Sequence, residues 1–234
     1  KVLQSGTRRV AIHCEDEFRL NERQPLTYEE GGVHNHPIWR DEESARLATE
    51  RLLRLARQAG RRVHVLHVTT KQEVPLLAAH KDIATMEVTP QHLTLAAPDC
   101  YDRLGTFAQM NPPIRGQEHQ DALWYAINQG IVDVIGSDHA PHTREEKAND
   151  YPATPSGMPG VQTLVPVMLT HVANGKLSLT RFVDLVCHGP QRLFNIAGKG
   201  RLAVGYDADL TIVDLKRRQT ITHDWMENRS GWTP

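Results

Sequence analysis

Three side chains able to bind a metal sit at equivalent places in this sequence, each where a run of apolar, β-branched residues stops. Val10-Ala11-Ile12 runs into His13, Val63-His64-Val65-Leu66 runs into His67, and Val132-Asp133-Val134-Ile135-Gly136-Ser137 runs into Asp138. If these runs are parallel strands, their C-terminal ends open on one mouth. Two imidazoles and a carboxylate there could hold a divalent ion, and zinc suits that mixture of nitrogen and oxygen donors. Such an ion acidifies water, and a neighbouring carboxylate could take and return protons. Together these groups could hydrolyse an unactivated amide.

Histidine is abundant, thirteen residues of 234, so most of it needs another explanation. His34-Asn35-His36 imitates an HxH ligand pair, but it lies in a glycine-rich loop beside Pro37 and is read as loop structure. His64 faces the opposite side of its strand from His67 and reads as a packed core residue. His80, His92, His119, His171, His188 and His223 have no motif around them and read as surface or packing. Cys14 should point away from His13, as a small buried residue rather than a nucleophile. The three cysteines, Cys14, Cys100 and Cys187, are far apart and include no CxxC. No disulfide framework is expected, and a reducing, cytoplasmic setting follows.

The elements that would position these residues alternate. After the His13 strand comes a loop with Pro25, Gly31, Gly32 and Pro37. Asp41 is then expected to cap a helix whose apolar stripe is Ala45, Ala48, Leu52, Leu55 and Ala59, ended by Gly60. The His67 strand leads through Thr69 or Thr70 into a helix reaching about His80. Thr85 to Thr89 reads as a strand, Glu118 to Gln129 as a helix, and Val132 to Gly136 as the last strand. A proline-rich loop reaches Gly160. Helical stretches follow over 161–174 and 179–196, with Pro166 kinking the first or marking its start. Alternating strands and helices imply a parallel sheet with right-handed crossovers. From Gly200 the pattern becomes β, with a strand at Leu210–Asp214 and a shorter one at Thr220–Thr222.

Composition narrows the function class. The chain is 39% hydrophobic and 24% charged with a net charge of −1, which is ordinary for a globular protein. No basic stripe stands out, so nucleic acid is not an expected partner. No apolar run approaches the roughly 18–20 residues that span a bilayer, so no membrane association is expected. The opening Lys1-Val2-Leu3-Gln4 is neither a signal nor a transit peptide.

Five segments carry a family resemblance: Ala11-Ile12-His13-Cys14-Glu15-Asp16, His67-Val68-Thr69-Thr70, Met110-Asn111-Pro112-Pro113-Ile114-Arg115, Gly136-Ser137-Asp138-His139-Ala140-Pro141-His142 and Ser156-Gly157-Met158-Pro159-Gly160. In order and character they resemble the dihydroorotases of the amidohydrolase superfamily, the longer-chain bacterial type in particular. Gly200 to Leu210 resembles the small β domain of that superfamily. The resemblance implies the C-terminal half of a (β/α)8 barrel over 1–198 and part of a small β-sandwich domain over 199–234. It implies one or two zinc ions, with His13, His67 and Asp138 as ligands and Asp138 also as general base. It implies that Asn111 and His142 hold the substrate carboxylate and ring, with the backbone of Ser156 and Gly157 at the ring edge. The reaction would be reversible cyclisation of N-carbamoyl-L-aspartate to dihydroorotate, in pyrimidine synthesis. The resemblance leaves room for a homo-oligomer and for aspartate transcarbamoylase as a partner.

The family's HxH pair, its following arginine and its bridging ligand have no match here, and the chain reads as cut at both ends. Two other readings remain open. Allantoinases and hydantoinases share fold, metal and mechanism, but Asn111 and His142 favour a substrate bearing a carboxylate. An inactive structural partner of aspartate transcarbamoylase would have no need of His13, His67 and Asp138, yet all three are present.

Overall fold

The computed structural model describes residues 1–234. Four strands, β1 (Val10–Ile12), β2 (Val63–Val65), β3 (Ala84–Val88) and β4 (Val134–Ile135), form one parallel sheet in the order β1-β2-β3-β4. Val10 pairs in register with Val63, Val63 with Ala84, and Glu87 with Val134. Each strand lies beside its chain predecessor, with no reversal of order. This is the progression of a (β/α) barrel, not of a doubly wound sheet with a switch point. Every residue of β2 is buried, as expected of a strand covered on both faces.

Eleven α-helical segments surround the sheet and its loops. They are α1 (Glu17–Arg23), α2 (His36–Trp39), α3 (Glu42–Ala59), α4 (Glu73–Ala78), α5 (Pro90–Thr94), α6 (Asp99–Leu104), α7 (Gln117–Asn128), α8 (Arg144–Lys147), α9 (Leu164–Ala173), α10 (Leu179–Val183) and α11 (Gly189–Phe194). α3 begins and ends where its sequence directs. The Asp41 carboxylate accepts the Ser44 N–H, and Gly60 adopts φ 60° while its N–H closes on Ala56 and Arg57. The buried stripe of α3 is Ala45, Thr49, Leu52, Leu53 and Ala56, and Leu55 is exposed. The stripe differs from the expected one because Thr49 faces inward to donate to the buried Glu73 carboxylate at 2.7 Å.

Two expected helices change shape at prolines. α9 starts at Leu164 with Pro166 in its first turn, where a missing N–H costs nothing. The 179–196 stretch breaks into α10, a wide turn over Asp184–His188, and α11. Pro190 has no N–H to continue the regular ladder, and the Gly189 N–H reaches back to the Asp184 carbonyl instead. Gly189 is required there because a Cβ would fall 2.2 Å from the Asp133 carbonyl beneath β4.

The main core lies between sheet and helices, with Val63, Val65, Met86 and Val88 against Leu52, Leu77, Leu123, Ile127 and Met168. A second core, including Tyr101, Met110, Ile114, Met158 and Trp232, lies under the loops. It gives those loops a rigid floor. Residues 199–222 form no strand, contrary to the expectation for Leu210–Asp214 and Thr220–Thr222. Val204 and Ile212 are fully exposed. β-branched residues favour a strand, but its backbone needs a hydrogen-bonded neighbour, and none lies beside this segment. The chain returns to the body through Gln162, which bonds the Trp225 carbonyl and the Glu227 N–H, each at 2.9 Å, and then through Trp232, buried against Phe107 with ring centroids 5.0 Å apart.

Candidate active site

All three strand-end residues sit beyond the C-terminal ends of their strands. His13 directly follows β1, His67 lies two residues beyond β2, and Asp138 three beyond β4. His13 Nδ1 and His67 Nε2 face each other at 3.0 Å, with the rings edge to face at 4.8 Å. Two nitrogens on one tetrahedral zinc stand about 3.3 Å apart, so this pair is close to the separation a shared ion requires. Asp138 stands at the same mouth but does not close with the two imidazoles into a group of three at metal-holding spacing.

Glu15 and Glu87 organise these residues, and the sequence reading assigned a role to neither. Glu15 is deeply buried and lies 2.9 Å from His13 Nε2, while Arg40 also donates to it. Burial opposes ionisation of Glu15, but the hydrogen bonds and charges of His13 and Arg40 prevail and hold it below its ordinary pKa. A carboxylate here keeps the His13 proton on Nε2 and leaves Nδ1 as a lone-pair donor toward His67. A ligating histidine is commonly oriented in this way by an outer carboxylate. His67 Nδ1 is buried without a partner, and burial with the neighbouring His13 lowers its pKa to about 4.

Glu87, from β3, joins two of the strand ends. One oxygen lies 3.0 Å from His64 Nε2, and the other accepts the His67 backbone N–H at 3.3 Å. Gly136 leaves room for it, since a Cβ there would meet the Glu87 carboxylate at 2.5 Å. His64 is therefore the satisfied core residue expected, its other nitrogen 2.9 Å from Thr85 Oγ1. Burial raises the Asp138 pKa, repulsion from Glu87 adds to it, and His13 opposes it. A carboxyl so placed can hold a proton at a higher pH than a free aspartate. His67 and Asp138 both have positive φ, 33° and 42°. Such conformations cost non-glycine residues about 1–3 kcal/mol each and tend to collect at functional sites.

The second set, Asn111, His142, Ser156 and Gly157, lies on loops over the second core. His142 Nε2 donates to the Ser156 carbonyl at 3.2 Å, and the Gly157 N–H donates to the Gln109 carbonyl at 2.9 Å. The Ser156 carbonyl and Gly157 N–H are thus engaged within the protein. Gly157 has φ 137°, and a Cβ would stand 2.7 Å from Ala140, so only glycine fits. Gln109 Nε2 donates to Ser156 Oγ and to the Thr154 carbonyl, both at 3.0 Å. The ammonium of the buried Lys147 ties the Gln109 carbonyl, 3.0 Å, to that of Pro155, 2.8 Å. Trp232 Nε1 donates to the His142 carbonyl at 2.7 Å. Asn111 meets His36, whose Nε2 lies 3.0 Å from Asn111 Oδ1 and 2.9 Å from the Met110 carbonyl.

His34 and His36 do not form a pair, since His34 lies 3.4 Å from the exposed Asp102 and His36 is fully buried. His92 is likewise a satisfied core residue, between Thr89 Oγ1 and the Pro112 carbonyl. Cys14 is buried, and burial pushes its thiol up to about 12, which makes it a poor nucleophile. A large cleft at the opposite end of the sheet, beside Arg8, Arg61 and Phe194, is remote from these groups. Its Arg61 is spent on the carbonyls of Leu3, Ser5 and Arg8.

The chain is 38% identical to a dihydroorotase of Methanosarcina mazei over 236 residues, covering 96% of this chain and 52% of that protein. It is also 38% identical to a dihydroorotase of Brevibacillus brevis, covering 54% of it. The chain thus spans about half the length of the curated relatives it matches. Among solved structures it is similar to L-hydantoinase (dihydropyrimidinase) from Arthrobacter aurescens, with a TM-score of 0.86 and 31% identity over 92% of this chain and 49% of that one. It is also similar to D-hydantoinase from Thermus sp., with a TM-score of 0.79 and 29% identity. The parallel sheet and its helices are accordingly the C-terminal half of a (β/α)8 barrel. The amidohydrolase family model matches residues 9–231, from the start of β1 through the last loop, and the chain belongs to that family.

Proposed function

We propose that the whole protein carrying this chain is a zinc-dependent dihydroorotase, interconverting N-carbamoyl-L-aspartate and dihydroorotate in pyrimidine synthesis. The observation that carries the reading is the His13–His67 pair, with facing ring nitrogens and Glu15 fixing the His13 proton. These two imidazoles and Asp138 would hold one or two zinc ions, a fit supported by the 3.0 Å approach of His13 Nδ1 and His67 Nε2. Zinc, when bound, supplies positive charge that polarises an amide carbonyl and acidifies water. Asp138 takes a proton from the attacking water in ring opening. It delivers one to the ring nitrogen as the C–N bond breaks, and the order reverses in closure. Burial and the nearby Glu87 raise its pKa above that of a free aspartate, the direction that suits a group which must pick up a proton and pass it on.

The Asn111 NH2 would donate to the substrate carboxylate, as would the His142 Nε2–H on exchanging its bond to the Ser156 carbonyl, with the Ser156 and Gly157 backbone at the ring edge. Residues 199–234 are read as part of a small β domain, and the setting as cytoplasmic, with a homo-oligomer or aspartate transcarbamoylase as compatible partners. The similarity to hydantoinases favours one second reading, a cyclic amidase acting on rings without a carboxylate. The test is turnover by the whole zinc-loaded protein of dihydroorotate, dihydrouracil, hydantoin and allantoin. The dihydroorotase reading expects dihydroorotate to have the highest kcat/KM, by at least about tenfold. A preference for an uncharged ring selects the second reading.

A further inference from the structure

The His34-Asn35-His36 segment, which is no ligand pair, has a different use. His36 is fully buried, and its Nε2 is 2.9 Å from the Met110 carbonyl and 3.0 Å from an atom of the Asn111 amide. A carbonyl oxygen can only accept, so His36 Nε2 must carry the proton. The Asn111 atom beside that N–H must then also be an acceptor, its Oδ1. The Asn111 NH2 is therefore turned away from the His36 ring.

The surroundings keep His36 in this state. Its ring is flanked edge to face by Trp39 and Tyr151, with centroids at 5.9 and 5.7 Å. Its Nδ1 has no partner, and burial lowers its pKa to about 4, so it stays neutral with a single donor. Asn35 holds the preceding loop through the Glu29 carbonyl at 3.0 Å, and Pro37 starts the short helix that seats the ring. An amide has two faces of similar shape and opposite hydrogen-bonding character. Only the one with its NH2 outward can bind an anion.

We propose that His36 is a positioning residue that locks the Asn111 amide with its NH2 outward, making Asn111 a donor dedicated to an anionic group on the substrate. This rests on the reading of Asn111 as a carboxylate contact. Without the His36 N–H the amide can rotate, and its oxygen then repels the carboxylate.

The test uses the whole zinc-loaded protein with dihydroorotate and dihydrouracil, two variants at His36, and Asn111→Ala alone and combined with His36→Phe. His36→Phe keeps the ring and removes the donor. His36→Gln keeps an N–H that can serve the same two oxygens. The expectation for His36→Phe is a rise of about tenfold in KM for dihydroorotate, little change for dihydrouracil, kcat within about threefold, and unchanged zinc content. His36→Gln should restore most of the dihydroorotate KM, and Asn111→Ala should make His36→Phe silent when the two are combined. Equal effects on both rings, loss of zinc, or additivity with Asn111→Ala would overturn the proposal. If His36→Phe does not fold, His36→Gln decides: a dihydroorotate KM as high as that of Asn111→Ala refutes it, and a near wild-type KM supports it. A wild-type enzyme with no preference for dihydroorotate would instead sink the functional reading. A dihydroorotate KM unchanged in His36→Phe sinks only the role of His36.

Discussion

Lys147 offers a stringent test of how the loops over the mouth are held. Its side chain is fully buried and its ammonium meets two carbonyls, those of Gln109 and Pro155, with no carboxylate. Burial lowers its pKa from 10.5 to about 8. A displacement of that size corresponds to roughly 3 kcal/mol at most. The unfolded chain keeps this proton up to about pH 10.5, and the folded protein only to about pH 8. Between those values the unfolded state binds more protons, so this residue makes stability rise with pH. Below pH 8 the full cost of burying the charge is present, and above 10.5 it is gone. Lys147→Met removes the titration and leaves two carbonyls without their donor, a penalty of about 1–3 kcal/mol each that does not vary with pH. Urea unfolding of both proteins at several pH values from 7 to 10.5 measures the difference. The wild-type advantage should grow by about 2–3 kcal/mol across that window. Groups other than Lys147 cancel in the comparison. Parallel curves would show that the ammonium carries no burial cost and that the clamp is not as described.

Asp138→Asn in the zinc-loaded protein should lower kcat by about 10² to 10⁴ with the fold intact, and near-normal turnover would remove Asp138 from its proposed role. Glu15→Gln should weaken zinc binding about 10- to 100-fold in competition with a chelator, because His13 loses the partner that fixes its proton. Unchanged affinity would make Glu15 merely a partner for Arg40. His142→Ala should weaken dihydroorotate roughly tenfold to a hundredfold more than dihydrouracil, the loss of one charge-assisted hydrogen bond. Equal losses for the two rings would point to a role in the loop rather than at the carboxylate.

The regular parts of the fold were legible because their signals are local. Asp41 and Gly60 bracket α3 through their own side chain and backbone. The strand-end positions of His13, His67 and Asp138 followed from where apolar runs stop. Residues 17–39 read as loop, yet they contain α1 and α2, because short helices with few inward apolar residues leave little periodicity. The roles of Glu15, Glu87 and His36 were missed for another reason: His13 is only two residues from Glu15, but the other partners lie far away in the chain. Arg40 is 25 residues from Glu15, His64 is 23 from Glu87, and Asn111 is 75 from His36. Glu87 did leave a trace, as a carboxylate within a strand of otherwise apolar and β-branched character. The expected strands after Gly200 failed because a strand is a property of two segments, and propensity describes only one.

Trp232 gives the mouth an optical readout. Its indole N–H is fastened to the carbonyl of His142, its ring lies against Phe107, and Gly231 beside it accepts from Arg144 at 2.9 Å. A change in how His142 is held must therefore alter the hydrogen bond and the polarity around a buried fluorophore. The other tryptophans, at 39, 124 and 225, sit in different elements, so replacing them with phenylalanine would leave a single emitter beside the His142 loop. Its emission maximum and lifetime, followed in stopped flow with each ring, would separate the seating of ligand from its conversion.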